Sequence, residues 1–118
     1  MKVPGPEHPI TIAPAGKRVR VRFGGHIVAD TQKALTLKEA NYPPVYYIPR
    51  ADADMSLLKA TERSTHCPYK GDASYFSIVA GAESADNAVW SYQRPFPAMA
   101  EIKDHLAFYP NKVMVEVD

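Results

Sequence analysis

The sequence is short of cysteine, of long apolar runs and of surplus charge, and each shortage removes a class of function. Cys67 is the only cysteine in 118 residues. No intrachain disulfide can form, whereas secreted domains of this size more often carry paired cysteines. That shortage points to a cytoplasmic protein. A zinc site needs three or four suitably spaced ligands, yet there is no second thiolate, and His8, His26, His66 and His105 fall in separate segments. No metal or other cofactor is expected. The apolar stretch 76–82 is interrupted by Ser77 and Gly81 and is far shorter than the ~20 residues of a membrane-spanning helix. Residues 1–6 contain Pro4 and Pro6 and lack the apolar run of an export signal. No membrane role is expected. With 14 Lys and Arg against 13 Asp and Glu, a net charge of +1 creates no global field to gather nucleic acid or an anionic surface.

What the sequence has in excess is proline. Eleven prolines are roughly twice the usual share, and their recurrence between apolar segments predicts short strands and excludes long helices. In residues 18–23, Val19, Val21 and Phe23 alternate with Arg18, Arg20 and Arg22, the pattern of a half-buried strand. Gly24-Gly25 then supplies a tight turn into a strand over 26–29. Segments 34–38 and 45–48 read as a second strand pair. Segments 75–79 and 88–92 read as a hairpin joined by a polar loop over 82–87. Residues 97–103, with Pro97 at the start and Met99 and Ile102 three apart, suit one short helix near the C-terminus. Segments 106–109 and 113–117 flank Pro110-Asn111 and predict a closing hairpin. Residues 1–9, with three prolines, read as an irregular arm, and 10–118 as one domain large enough for one core. The expected fold class is mainly β: a single small domain of short antiparallel strands, arranged as a barrel or two packed sheets.

Five phrases carry a resemblance. They are Gly25-His26-Ile27-Val28-Ala29-Asp30-Thr31, Tyr42-Pro43-Pro44-Val45-Tyr46-Tyr47-Ile48-Pro49, the run from Thr65 to Tyr75, Ala88-Val89-Trp90-Ser91-Tyr92, and Leu106-Ala107-Phe108-Tyr109. In this order they closely resemble the bacterial family called domain of unknown function 427, from about His8 to Val117. The resemblance implies a small, mainly β protein of uncharacterised activity. A nucleotidyltransferase label sometimes attached to the family brings no residue roles to transfer. The family-like positions are Tyr47, Pro49, Thr65, Cys67, Lys70, Gly71, Trp90, Tyr92, Phe108 and Tyr109.

The richest chemistry lies in Thr65-His66-Cys67-Pro68-Tyr69-Lys70-Gly71-Asp72, where a nucleophile, a base, a cation and a carboxylate share eight residues. Pro68 and Gly71 force a tight backbone path there. A charge on Lys70 or His66 beside the sulfur favours the thiolate and makes Cys67 a nucleophile or redox sensor; otherwise Cys67 is a small buried residue and Lys70 is solvated. Trp90 and Tyr92 lie two apart on a predicted strand and share a face, either lining a pocket or filling the core. The same alternatives hold for Tyr47, Thr65 and Tyr109. Asp52 and Asp54 can be read as magnesium ligands for nucleotidyl transfer or as solvated turn residues. The stripe of Arg18, Arg20 and Arg22 has the ~6.5–7 Å spacing of strand side chains. It reads as a solvated face paired with acids such as Asp30, since a single-strand binder interleaves aromatics there.

These residues predict a protein that binds a small anionic molecule in a polar and aromatic pocket around Cys67 and Lys70, with Tyr47, Thr65, Trp90, Tyr92 and Tyr109 as binding residues. In an enzymatic version Cys67 is the nucleophile, Lys70 or His66 lowers its pKa, and Tyr92 or Thr65 bonds the reacting oxygen. The alternatives are a non-catalytic protein-interaction domain and a magnesium-dependent nucleotidyltransferase. Nucleic acid is not an expected partner. The sequence specifies neither an oligomeric state nor a strand order.

Overall fold

Alternation of valine with arginine sets the first sheet. In the computed structural model, which describes all 118 residues, strand β2 (Val19–Phe23) buries Val19 and Val21 completely. It turns through Gly24 (φ 54°) and Gly25 (φ 80°) into β3 (His26–Thr31). Two consecutive positive φ angles make the tight hairpin turn that glycine adopts without strain. The other edge of β2 is taken by β10 (Met114–Val117), with Arg20 opposite Glu116 and Val21 opposite Val115. The arginine face is neutralised residue by residue. Arg18 donates to both oxygens of Asp30 at 2.8 and 2.6 Å, Arg22 bonds Glu116, and Arg20 reaches Asp118 at 3.4 Å.

The pairing of β10 with β2 corrects the expected closing hairpin. Residues 106–109 instead supply β9 (Ala107–Phe108), which joins β8 (Glu83–Ser91). The cross-strand charges of Glu116 and Asp118 and the apolar face of Val115 and Val117 match β2 and not β9.

Strands β1 (Ile10–Pro14), β4 (Leu35–Glu39) and β5 (Val45–Tyr47) form a second antiparallel sheet in the order β1-β4-β5. The third has the order β6-β7-β8-β9, where β6 is Leu58–Cys67 and β7 is Gly71–Ala80. The fold is therefore mainly β and antiparallel, as expected, with three sheets and no closed barrel. The β7–β8 hairpin turns at Gly81 (φ 62°), with Ala80 opposite Glu83. The polar segment 82–87 is thus mostly strand and not the expected loop. A register shift there is accommodated by Asn87 at φ 50°, whose N–H donates to Ser77 Oγ at 3.0 Å.

The helix candidate forms a 3₁₀ segment, Pro97–Ile102, interrupted at Met99 and burying Met99 and Ile102. Two shorter 3₁₀ turns, Arg50–Asp52 and Met55–Leu57, precede β6. No helix is long and apolar enough to cross a membrane. Reciprocal 2.8 Å bonds between Ile48 and Leu106 tie the end of β5 to the third sheet. Near the start of the chain, Gly5 pairs with His8, and the Lys2 N–H donates to Pro68 O at 2.7 Å.

The interior divides into two clusters. One gathers Val19, Val21, Val28, Ile48, Ile78, Val89 and Leu106 between the sheets. The smaller contains Leu37, Tyr47, Tyr75, Tyr92, Met99 and Ile102. Its tyrosines make it the polar end of the interior.

Candidate functional site

Strand periodicity brings the site together. Leu35, Leu37 and Glu39 share one face of β4, so a carboxylate ends an apolar row. Leu35 opposes Tyr47, and Leu37 opposes Val45. In the facing sheet, Thr65 and Cys67 share one side of β6, Ala73 and Tyr75 one side of β7, and Trp90 lies directly opposite Tyr75. Tyr92 follows two residues after Trp90, and Tyr109 follows β9. The two surfaces line an open cavity of about 380 Å³, bounded among others by Glu39, Tyr47, Cys67, Lys70, Tyr75, Trp90, Tyr92 and Tyr109. Tyr42 and Pro43 from the β4–β5 loop also line it, and Tyr42 is 62% exposed.

Lys70 enters this cavity because of the turn that precedes β7. Gly71 has φ 112°, and a Cβ there would come within 3.3 Å of the Arg94 carbonyl oxygen. The Lys70 carbonyl accepts from the Phe96 N–H at 2.9 Å. Only glycine meets both demands. The chain folds back so that the Lys70 side chain is 8% exposed, with its ammonium bonded to Glu39 Oε1 and 3.8 Å from Cys67 Sγ. Glu39 Oε2 accepts from His8 Nε2 at 2.7 Å, and the His8 ring stacks on Tyr69 at 4.2 Å. Burial pushes the Glu39 carboxyl up, but the bonds from Lys70 and His8 outweigh it and hold the group below its ordinary value.

The aromatic walls are mutually braced. Trp90 Nε1 donates to the Tyr47 hydroxyl at 3.2 Å, and the two rings meet edge to face at 6.4 Å. The Trp90 and Tyr109 rings are 4.6 Å apart. The Tyr75 hydroxyl shares hydrogen bonds with Thr65 Oγ1 at 2.9 Å and Tyr109 at 3.3 Å, while the Arg63 guanidinium sits 5.0 Å from the Tyr75 ring centre. Burial acts to raise the Tyr75 phenol, but Thr65, Tyr109 and Arg63 together bring it below its ordinary value. Burial, helped by the bond to Tyr75, pushes Tyr109 up to about 12. It also drives Tyr47 and Tyr92 far above the ordinary phenol value, so both remain neutral donors.

Tyr92 differs from its neighbours. It is 7% exposed, lines the cavity, and its hydroxyl makes no hydrogen bond within the protein. The Tyr47 oxygen already accepts from Trp90, which leaves its O–H free to donate. Lys70 has a third N–H beyond those directed at Glu39 and Cys67, whereas both Glu39 oxygens are engaged. The free hydrogen-bonding capacity of the cavity is therefore mostly that of a donor.

Of the sequence-predicted residues, Cys67, Lys70, Tyr47, Trp90, Tyr92 and Tyr109 line one cavity. Thr65 lies behind it, bonded to Tyr75. His66 is excluded as an activator of Cys67. It projects from the opposite face of β6, bonds Asp72 Oδ1 at 2.7 Å and packs against Phe96. Lys70 is not solvated, and its charge is offset by Glu39. Asp52 accepts from Thr31 at 2.7 Å, while Asp54 caps the turn at Ser56, so both aspartates are committed to local structure. Sequence reasoning missed Glu39, Tyr75 and His8. For Glu39 a signal existed: an acid one residue beyond the predicted strand 34–38 and in register with Leu35 and Leu37.

A second, larger cleft of about 470 Å³ adjoins the first. It lies between β5 with its preceding loop and the β2 and β10 strands, and it includes Val19, Val21, Ile48, Phe108, Val115 and Val117. No charged residue lines it, and Tyr42, Pro43, Val45 and Trp90 line both cavities.

No curated protein matches the chain. The family model described as "Domain of unknown function (DUF427)" matches residues 11–118, nearly the whole of the fold that carries this cavity, and the chain belongs to that family.

Proposed function

We propose that the protein binds a small molecule bearing acceptor oxygens, a carboxylate or a conjugated carbonyl, in the cavity between Lys70 and Trp90. The observation that carries this reading is the Tyr92 hydroxyl, which opens on the cavity from a residue only 7% exposed and has no protein partner. The oxygen faces the cavity, where it adds nothing to the packing of the ring and stays free to donate to a molecule bound there. A ligand oxygen supplies that partner. The free O–H of Tyr47 and the remaining N–H of Lys70 point to the same ligand chemistry, and the Trp90 and Tyr109 rings favour a flat body beside it. Because Glu39 offsets Lys70, an anionic ligand is held by directed hydrogen bonds more than by net charge.

Thermal denaturation of the wild type and Tyr92→Phe with benzoate, with pyruvate, and with nucleotides plus magnesium tests the proposal. A carboxylate at a hundred times its Kd adds ~2.7 kcal/mol, a rise of several degrees for a domain of this size. Tyr92→Phe should need about tenfold more ligand for the same rise. A rise confined to nucleotides with magnesium would favour a nucleotidyltransferase. No rise with any of them would contradict the proposal and favour a protein-interaction domain.

The 3.8 Å contact of Lys70 Nζ with Cys67 Sγ inside the cavity favours a second reading, in which the Cys67 thiol adds reversibly to a bound ketone or aldehyde, the C–S bond forming as the C=O π bond opens and the thiol proton passing to the carbonyl oxygen. Iodoacetamide alkylation across a pH series checks it. An apparent thiol pKa clearly below the free value of ~8.5 supports an activated cysteine, and one at or above it counts against.

A further inference from the structure

We infer that the ligand is amphipathic, with an oxygen-bearing head in the Tyr92 cavity and an apolar tail in the adjoining cleft between β5 and β10. This rests on the small-molecule reading and adds the ligand's second half. The two cavities differ in chemistry but share Tyr42, Pro43, Val45 and Trp90, so they adjoin along these residues. The larger one has no charged lining residue. A concave apolar surface of this kind, left to water, forgoes burial energy that an aliphatic or aryl tail recovers. Tyr42 stands at the shared rim and is 62% exposed, so its ring can move aside without unpacking the core. A tail entering past Trp90 keeps the head within reach of the free donors of the Tyr92 cavity, so one molecule uses both halves.

Trp90 is the only tryptophan and borders both cavities, so its fluorescence reports on either. The test titrates wild type, Tyr92→Phe and Val117→Asp with benzoate and a series of 4-alkylbenzoates from methyl to hexyl. Val117 lines the cleft and is itself 39% exposed, so a charge there sets a carboxylate against the tail. The expected result is an affinity rising about fourfold for each added methylene until the cleft is full. Val117→Asp should lose most of the chain-length gain. Tyr92→Phe should weaken every member of the series by a similar factor and keep its slope.

Benzoate binding that depends on Tyr92 but shows no chain-length gain in the wild type overturns the tail and leaves the small-molecule reading standing. Failure of every member to bind overturns both. Sedimentation of the unliganded protein supplies an independent check, because a wild-type dimer made monomeric by Val117→Asp would assign the cleft to a second copy and overturn the inference. The wild-type slope decides the matter even if Val117→Asp does not fold.

Discussion

Two regions of this protein pair cations with carboxylates, and they use the pairing differently. On β2, Arg18, Arg20 and Arg22 meet Asp30, Asp118 and Glu116 in contact with water. In the cavity, Lys70 meets Glu39 with its side chain almost wholly enclosed. Exposed pairs gain little because water competes and side-chain entropy opposes them. Their effect here is to cover a stripe of like charge and align β10 with β2. Inside, loss of either partner strands the other without solvent, so the pair is obligatory. It also lets a lysine donor stand in an aromatic cavity without leaving net charge there. The same pairing of opposite charges is a register device on one sheet and, under the proposed function, a recognition element in the cavity.

The comparison breaks most visibly at Glu39. Glu39→Gln should cost about 2–3 kcal/mol in urea denaturation, because Lys70 is left buried and uncompensated. The double variant Glu39→Leu, Lys70→Met should recover much of that loss and abolish benzoate binding. Recovery without loss of binding would remove Lys70 from the recognition element.

Removing the Tyr47 hydroxyl should have a smaller effect. Tyr47→Phe leaves the Trp90 N–H without its partner and should cost about 1 kcal/mol. A change in Trp90 emission should accompany it, since the indole N–H loses its acceptor.

The pH dependence sharpens the contrast. The carboxyls of Glu39, Asp30 and Glu116 all lie below their ordinary values in the folded protein. The stability they contribute is present above the ordinary values of 4.5, 3.8 and 4.5 and is lost as pH falls through the depressed ones. Added salt should weaken the Asp30 and Glu116 parts of this acid limb and spare the Glu39 part. At the other extreme, Tyr47 and Tyr92 are raised by burial. Their contribution is complete below the ordinary phenol value of 10.0 and is lost as pH climbs above it. Urea midpoints measured from pH 3 to 11, at low and high salt, check both limbs. The smallest effect belongs to Asp30→Asn, which should move the midpoint slightly at low salt and not at all at high salt.

Local chemistry made parts of this protein legible in its sequence. Gly24-Gly25 has one cheap backbone solution, and the β2–β3 hairpin follows from it. Trp90 and Tyr92 share a face through strand periodicity, and the Cys67 to Gly71 turn is written in Pro68 and Gly71. What was not legible depends on distant partners. Strand β6 is mostly polar and exposed, with Lys59, Glu62 and Arg63 along its length, because it is a sheet edge that charges keep from pairing further. The β10–β2 pairing joins residues far apart in the chain, and nothing near Pro110-Asn111 announces it. Glu39 lay one residue past the predicted strand 34–38. Only the arrival of Lys70 and His8 from elsewhere in the fold makes it part of a site.

The most direct test of the account separates stability from binding at Tyr92. Tyr92→Phe, compared with wild type by urea denaturation and by benzoate titration of Trp90 fluorescence, should stay within about 0.5 kcal/mol in stability and lose about tenfold in affinity. A stability loss well above 1 kcal/mol with benzoate affinity unchanged would contradict the account, since the hydroxyl would then serve the fold and not a ligand.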